Sequence, residues 1–251
     1  LALQKIQSHK NRLKMRISIL YDNQPCRDQF RYGWGFSCLI DGRILFDTGE
    51  APESLFYNMN QLKVNPQNIE AVVISHDHWD HTGGLWELLK QRKGLKVFAC
   101  PGFSGAFKKR VSKLEGTLIE SSDFRKIDAP ISVTGEIPGK YKDGFMPEQA
   151  LMANTESGVL MITGCSHPGI VTMIEKAKKC FPSLPISIVF GGFHLMDETP
   201  EMIDSVISDL MKLGVLKIGP THCTGENARI IFQKRFGENY TSIGAGSQME
   251  L

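Results

Sequence analysis

Three of the chain's seven histidines fall within six residues, His76-Asp77-His78-Trp79-Asp80-His81. Imidazole nitrogens and carboxylate oxygens at this density suit zinc, iron or manganese. In an extended segment alternate side chains share a side, so His76, His78 and Asp80 are expected to point one way. His81 would turn in where the backbone bends. Four candidate ligands thus arise from one loop, and a loop position leaves coordination sites open to water or substrate. A polar surface turn is the bland alternative; the crowding of a scarce residue type argues against it.

Such a loop needs firm elements around it. Short β-rich runs alternate with amphipathic stretches along the chain, the pattern of an α/β protein. Strands are expected at Ile17 to Tyr21, Phe36 to Ile40 and Arg43 to Phe46, with Asp41-Gly42 as a hairpin turn. Pro52 to Leu62 reads as a helix, ended by Asn65-Pro66 before the apolar strand Ala71 to Ile74. The histidine loop follows that strand, and Gly83-Gly84 leads into a helix from Leu85 to about Lys90, then a strand near Val97. In the second half strands are expected at Gly158 to Ile162, Ile186 to Phe190 and Val215 to Ile218. Helices follow at Ile170 to Lys179, Pro200 to Leu213 and Ala228 to Phe236. The loops through His167, His194 and His222 each follow a strand end. The stretch Gly135 to Pro147, rich in Gly, Pro, Lys and Asp, is the longest candidate loop and a possible substrate-side lid.

Composition excludes several classes. Lys plus Arg (29) nearly balances Asp plus Glu (27), so no whole-molecule field draws nucleic acid or an acidic membrane. Ile186 to Phe190 is far shorter than the ~20 apolar residues of a membrane span. Cys26, Cys38, Cys100, Cys165, Cys180 and Cys223 show no Cys-x-x-Cys spacing, and reduced thiols in a cytoplasmic protein are expected. The polar, basic residues 1–14 read as an N-terminal extension. A single domain, 15–251, is expected after it, in two halves of about 15–134 and 148–251. Oligomeric state is not legible.

The run Ser75 to Gly84 resembles the signature loop of the metallo-β-lactamase-fold superfamily, and Leu45-Phe46-Asp47-Thr48-Gly49 resembles its first motif. The resemblance implies a four-layer αββα sandwich, with Asp47 supporting a metal-bound histidine. Asp47 could equally be a turn residue. It also implies that His222, in Thr221-His222-Cys223, is the last ligand. His167, in Gly164-Cys165-Ser166-His167-Pro168-Gly169, is a ligand candidate or a helix-capping histidine, with Pro168 opening the next helix. His194 could contact substrate or move a proton, bind metal, or be structural.

Two departures from the superfamily stand out. No histidine occurs between Thr82 and Ser166, and Cys165 occupies the place of the bridging aspartate. His167 would then fill the vacant histidine role, with Cys165 a thiolate ligand or a bystander. Together with Asp22-Asn23, Gly35-Phe36-Ser37, Gly191-Gly192-Phe193-His194-Leu195 and His222-Cys223-Thr224-Gly225, these segments resemble the dihydropterin-linked ribofuranosylaminobenzene phosphate synthase branch.

The implied centre holds one or two divalent ions, zinc first and iron or manganese as alternatives. One ion would lie near His76, His78 and His167, the other near Asp80, His81 and His222. Water between two such ions could reach a pKa of about 7. The expected function is a metal-dependent hydrolase of a small phosphoester, ester or related substrate, with Asp80 and His194 as catalytic candidates. A diphosphate-displacing transferase is the alternative, and a non-catalytic metal- or ligand-binding module the second.

Overall fold

A computed structural model of the protein describes residues 14–251. Of the expected N-terminal extension, residues 1–13 lie outside the described residues. The first sheet is built in chain order from β1 (Arg16–Tyr21), β2 (Ser37–Ile40), β3 (Ile44–Phe46), β4 (Ala71–Val73), β5 (Lys96–Ala99) and β6 (Thr117–Glu120). β1 to β3 are antiparallel, and β3 to β6 run parallel. Parallel neighbours need crossovers. Here these carry α1 (Pro52–Gln61), α2 (Trp79–Thr82), α3 (Leu85–Gln91) and α4 (Gly105–Lys113).

The second sheet contains β7 (Arg125–Asp128) and β8 (Ile131–Val133). After a small hairpin, β9 (Lys140–Tyr141) and β10 (Gly144–Phe145), it continues with β11 (Leu151–Thr155), β12 (Gly158–Thr163), β13 (Ile186–Gly192) and β14 (Val215–Thr221). Its order is β14-β13-β12-β11-β8-β7, with β12, β13 and β14 parallel. Helices α5 (Ile170–Cys180), α6 (Pro200–Lys212) and α7 (Glu226–Phe236) follow β12, β13 and β14 in turn. A last strand, β15 (Gln248–Glu250), returns to the first sheet beside β1.

Period-two side-chain alternation explains the layering. On β3, Ile44 and Phe46 face the second sheet and Leu45 faces the helices; on β12, Leu160 and Ile162 face inward and Val159 and Met161 outward. The inner faces bury Ile17, Phe46, Val73, Leu160, Ile162 and Phe190 between the sheets. Outer faces bury Leu45, Val72 and Val97 under α1, α3 and α4, and Met161, Val189 and Ile218 under α5 to α7. Each fully buried aliphatic side chain contributes about 1.5–3 kcal/mol. The result is the αββα sandwich that the sequence implied.

The Asp41-Gly42 hairpin forms as expected, with φ of 49° and 71°, the doubly positive turn that suits the strand twist. Elements between residues 105 and 133 carry weaker patterns. β6 and β7 are exposed or half-buried along their length and show no apolar alternation. β7 and β8 belong to the second sheet although they precede the hairpin, and β15 belongs to the first.

Three local expectations are corrected. The histidine loop is not extended through Asp80: β4 ends at Val73, the chain bends over residues 75–77, and α2 begins at Trp79 after His78 (φ −103°, ψ 151°). Pro168 does not open α5, which starts at Ile170 after Gly169 (φ 87°). Gly135 to Pro147 is not an open loop either, since it folds into the β9–β10 hairpin.

Candidate metal centre

The centre lies where strand ends of both sheets meet. β4 delivers Ser75 to His78, and the single turn α2 delivers Asp80 and His81. Opposite them, β12, β13 and β14 end in the loops of Cys165 and His167, of His194, and of His222. The two sets close together because Gly164 has no side chain: a Cβ there would lie 2.0 Å from Ser75 Oγ and 3.1 Å from Asp47 Oδ2.

The ligand-type atoms of His76, His78, Asp80, His81, Cys165, His167 and His222 gather in two groups, within each of which they lie no more than 4.8 Å apart. His76, His78 and His167 form one; Asp80, His81, Cys165 and His222 form the other. Every ligand candidate read from the sequence is therefore in the cluster, and Cys165 joins the second group with its Sγ 3.3 Å from His81 Nε2. His194 stands at the rim, its ring 4.5 Å from that of His167.

Supporting contacts fix the tautomers. Asp47 Oδ2 accepts from His81 Nδ1 at 2.7 Å and from Ser75 Oγ at 2.7 Å, while its Oδ1 accepts from Ser75 N–H at 2.7 Å. Asn23 Nδ2 donates to the His222 carbonyl at 3.3 Å, so its Oδ1 accepts from His222 Nδ1 at 2.9 Å. When both rings are neutral their Nε2 atoms present lone pairs to one another at 3.2 Å, with Asp80 Oδ2 3.5 and 3.4 Å from them. Acceptors converging on one point repel unless a cation or a proton lies between them. In the other group both buried ring nitrogens of His167 have no hydrogen-bond partner among the described residues. Such orphaned buried polar atoms are uncommon. Both observations fit residues made to hold metal ions.

The electrostatics agree. Burial, reinforced by His194 and His78, pushes His167 down to about 3, leaving it neutral as a ligand must be. Burial opposes a proton on His81, but Asp47 and Asp80 outweigh it and hold its pKa at about 9. Burial likewise opposes ionisation of Asp80, yet His81 and His222 keep its carboxyl well below the usual carboxylate range.

Several functional residues carried no readable role in the sequence. Glu148 is fully buried and accepts backbone N–H bonds from Gly164, Cys165, Ser166 and His167 at 2.8 to 3.1 Å. Burial pushes its carboxyl up to about 7 against those donors. Next to it, Gln149 donates its N–H to the Ser75 carbonyl at 2.9 Å and its side-chain amide to the Ile74 carbonyl at 2.9 Å. Glu148-Gln149 thus braces the loops of both ligand groups. No pattern around it betrays burial. Tyr141, on the β9–β10 hairpin, packs its ring 4.7 Å from His78, 5.2 Å from His167 and 5.9 Å from His194. Trp34 covers His222 at 5.1 Å. Lid residues could have been sought in the expected loop 135–147, but nothing singled out Tyr141.

Comparisons with known proteins follow the same lines. Residues 37–149 match the sequence model of the metallo-β-lactamase superfamily. The chain is similar to the 7,8-dihydropterin-6-methyl-4-(β-D-ribofuranosyl)-aminobenzene-5′-phosphate synthase of Methanocaldococcus jannaschii. The two are 36% identical over 246 residues, covering 82% of this chain and 84% of that protein. A solved metal-dependent hydrolase of the β-lactamase superfamily superposes with a TM-score of 0.80 at 28% identity, covering 94% of this chain and 99% of that one. The metallo-β-lactamase fold protein YhfI from Bacillus subtilis superposes at 0.70 with 15% identity, over 95% and 100% of the two chains, a likeness of fold. Among the described residues no helix is long and apolar enough to cross a membrane.

Proposed function

Since the chain belongs to the metallo-β-lactamase superfamily and resembles the pterin synthase over 82% of its length, we propose that it is a diphosphate-displacing transferase joining an arylamine to a pterin methyl diphosphate. The observation that carries this reading is the meeting of the two ligand groups in one cleft, the His76 ring of one lying 4.2 Å from the His81 ring of the other. In the reaction the amine nitrogen attacks the methylene carbon. One C–N bond forms, one C–O bond breaks, diphosphate leaves, and the amine gives up a proton.

His76, His78 and His167 would hold one cation, and Asp80, His81, Cys165 and His222 a second. Cations held there would supply positive charge against the oxygens of the departing diphosphate. Zinc is the ion we assign, because imidazole and thiolate donors suit it, with iron or manganese as alternatives. Asp80, ionised through its two histidine neighbours, is the acceptor nearest to the incoming nucleophile's proton in this scheme. Tyr141 and Trp34 wall the cleft with rings on which a planar substrate could lie.

Hydrolysis is the second reading, favoured by the 28% identity to the solved metal-dependent hydrolase. There, water takes the amine's place and Asp80 orients it. The test is to supply the metal-reconstituted protein with a 6-hydroxymethyl-7,8-dihydropterin diphosphate, with and without 4-(β-D-ribofuranosyl)aminobenzene 5′-phosphate. Diphosphate release that depends on the amine, with a coupled product of the expected mass, supports the transferase. Release without amine supports the hydrolase. Bound metal with no turnover of this substrate or of generic phosphoesters, thioesters and lactones rejects both.

A further inference from the structure

Cys223 belongs to neither ligand group. Yet its Sγ, the Sγ of Cys165 and a ring nitrogen of His194 lie within 4.8 Å of one another. We propose that these three side chains form an additional cation pocket, a Cys2His site for a thiophilic divalent ion such as zinc, with the Cys165 sulfur shared with the Asp80, His81 and His222 group. Two sulfurs and an imidazole make a softer donor set than either neighbouring group offers. Three protein ligands around a tetrahedral ion leave one position for water or substrate.

The pocket is built from three successive strand-end loops. β12, β13 and β14 are adjacent and parallel, so the residues just beyond them stand side by side. The loops are tied to each other directly. Ser166 Oγ donates to the Gly192 carbonyl at 2.7 Å, Gly192 N–H to the Gly164 carbonyl at 3.0 Å, and Phe193 N–H to Thr224 Oγ1 at 3.0 Å. Room for the sulfur depends on Gly192, where a Cβ would come within 2.6 Å of Cys223 Sγ.

His194 holds a left-handed backbone, φ 53°, which is uncommon outside glycine and costs free energy. Strain of this kind persists where surrounding structure fixes it, and here it accompanies an imidazole set against two buried thiols. Of the roles open to His194, ligation is the one its neighbours favour. Cys165 lies 3.3 Å from His81 Nε2 on its other side. A thiolate sulfur has lone pairs enough to serve both cations.

The test uses the full chain, reduced, stripped of metal with a chelator and titrated anaerobically with Co2+. Bound equivalents are counted while near-ultraviolet thiolate-to-cobalt charge transfer is followed. Cys223→Ser is expected to lose one bound equivalent and roughly two thirds of the charge-transfer intensity, since of the three thiolate–cobalt bonds only that of Cys165 to the Asp80, His81 and His222 group remains. His194→Gln, at an exposed position, is expected to lose the same equivalent, and it decides the matter if Cys223→Ser does not fold. Circular dichroism checks the fold of both. Wild-type stoichiometry and charge transfer retained in a folded variant of either kind would overturn the pocket. That result would leave the two groups of the proposed catalytic centre untouched.

Discussion

The two ligand groups of the cleft are built on different principles. Asp80, His81, Cys165 and His222 are buried, and Asp47 and Asn23 fix the outer nitrogens of both histidines. His76, His78 and His167 are three imidazoles, of which only His76 is buried, set with its Nε2 3.1 Å from His78 Nδ1. Among the described residues nothing anchors the ring nitrogens of His167. Depth and mixed donors thus belong to a group held rigid before an ion arrives. The all-imidazole group lies under the Tyr141 hairpin, with Ser75 Oγ 2.9 Å from His76 Nδ1 as its one outer support among the described residues. We expect the first to grip tightly and the second to exchange.

The largest effect expected is from His78→Ala, which should empty the all-imidazole group while the buried group keeps its ion, and lower activity by on the order of a thousandfold. Elemental analysis and the pterin diphosphate assay read both quantities, and retention of both would end the metal-centre assignment. Asp47→Asn probes the contrast itself. It should weaken binding at the buried group by about 10–100-fold and act less on the imidazole group, which it reaches only through Ser75. Competitive titration with a chelating dye, in Asp47→Asn and in His76→Ala backgrounds, separates the two.

Glu148→Gln should act on both groups alike, because the brace spans them. Its amide nitrogen cannot accept from the N–H groups it would face, at a cost of about 1–3 kcal/mol seen as a lower melting temperature. The smallest effect concerns protons. In the metal-free protein His81 holds its proton up to about pH 9 against the penalty of burial, so an ion entering near neutrality must expel it. Uptake at the buried group should strengthen as pH rises, about tenfold per unit for one proton, and level off above 9. Calorimetry in buffers of different ionisation enthalpy would show the released proton; its absence would place the ion elsewhere.

Legibility followed locality. The histidine loop could be read because its ligands are within six residues, and β12 to α7 because apolar runs and strand-end glycines punctuate them. The four-layer sandwich came from the resemblance carried by those loops. β6 and β7 had no pattern to read, being half-buried or exposed throughout. Glu148 was invisible for another reason: its partners are backbone amides 16 to 19 residues away, and no residue type announces them. The turn at Trp79 also escaped, since alternation assumes an extended chain. Yet Asp80 and His81, adjacent on that turn, reach the same group.

The lone pairs of His81 and His222, face to face at 3.2 Å, have a thermodynamic consequence. Folding brings them together whether or not a cation is present, so without one the native state must either keep a proton on His81 or carry a repulsion that its unfolded counterpart escapes. Free ion in the surroundings therefore enters the folding equilibrium directly. Once sites are being filled, each tenfold rise in its concentration should add about 1.4 kcal/mol per ion. The temperature this chain withstands is then set jointly by its sequence and by the solution around it.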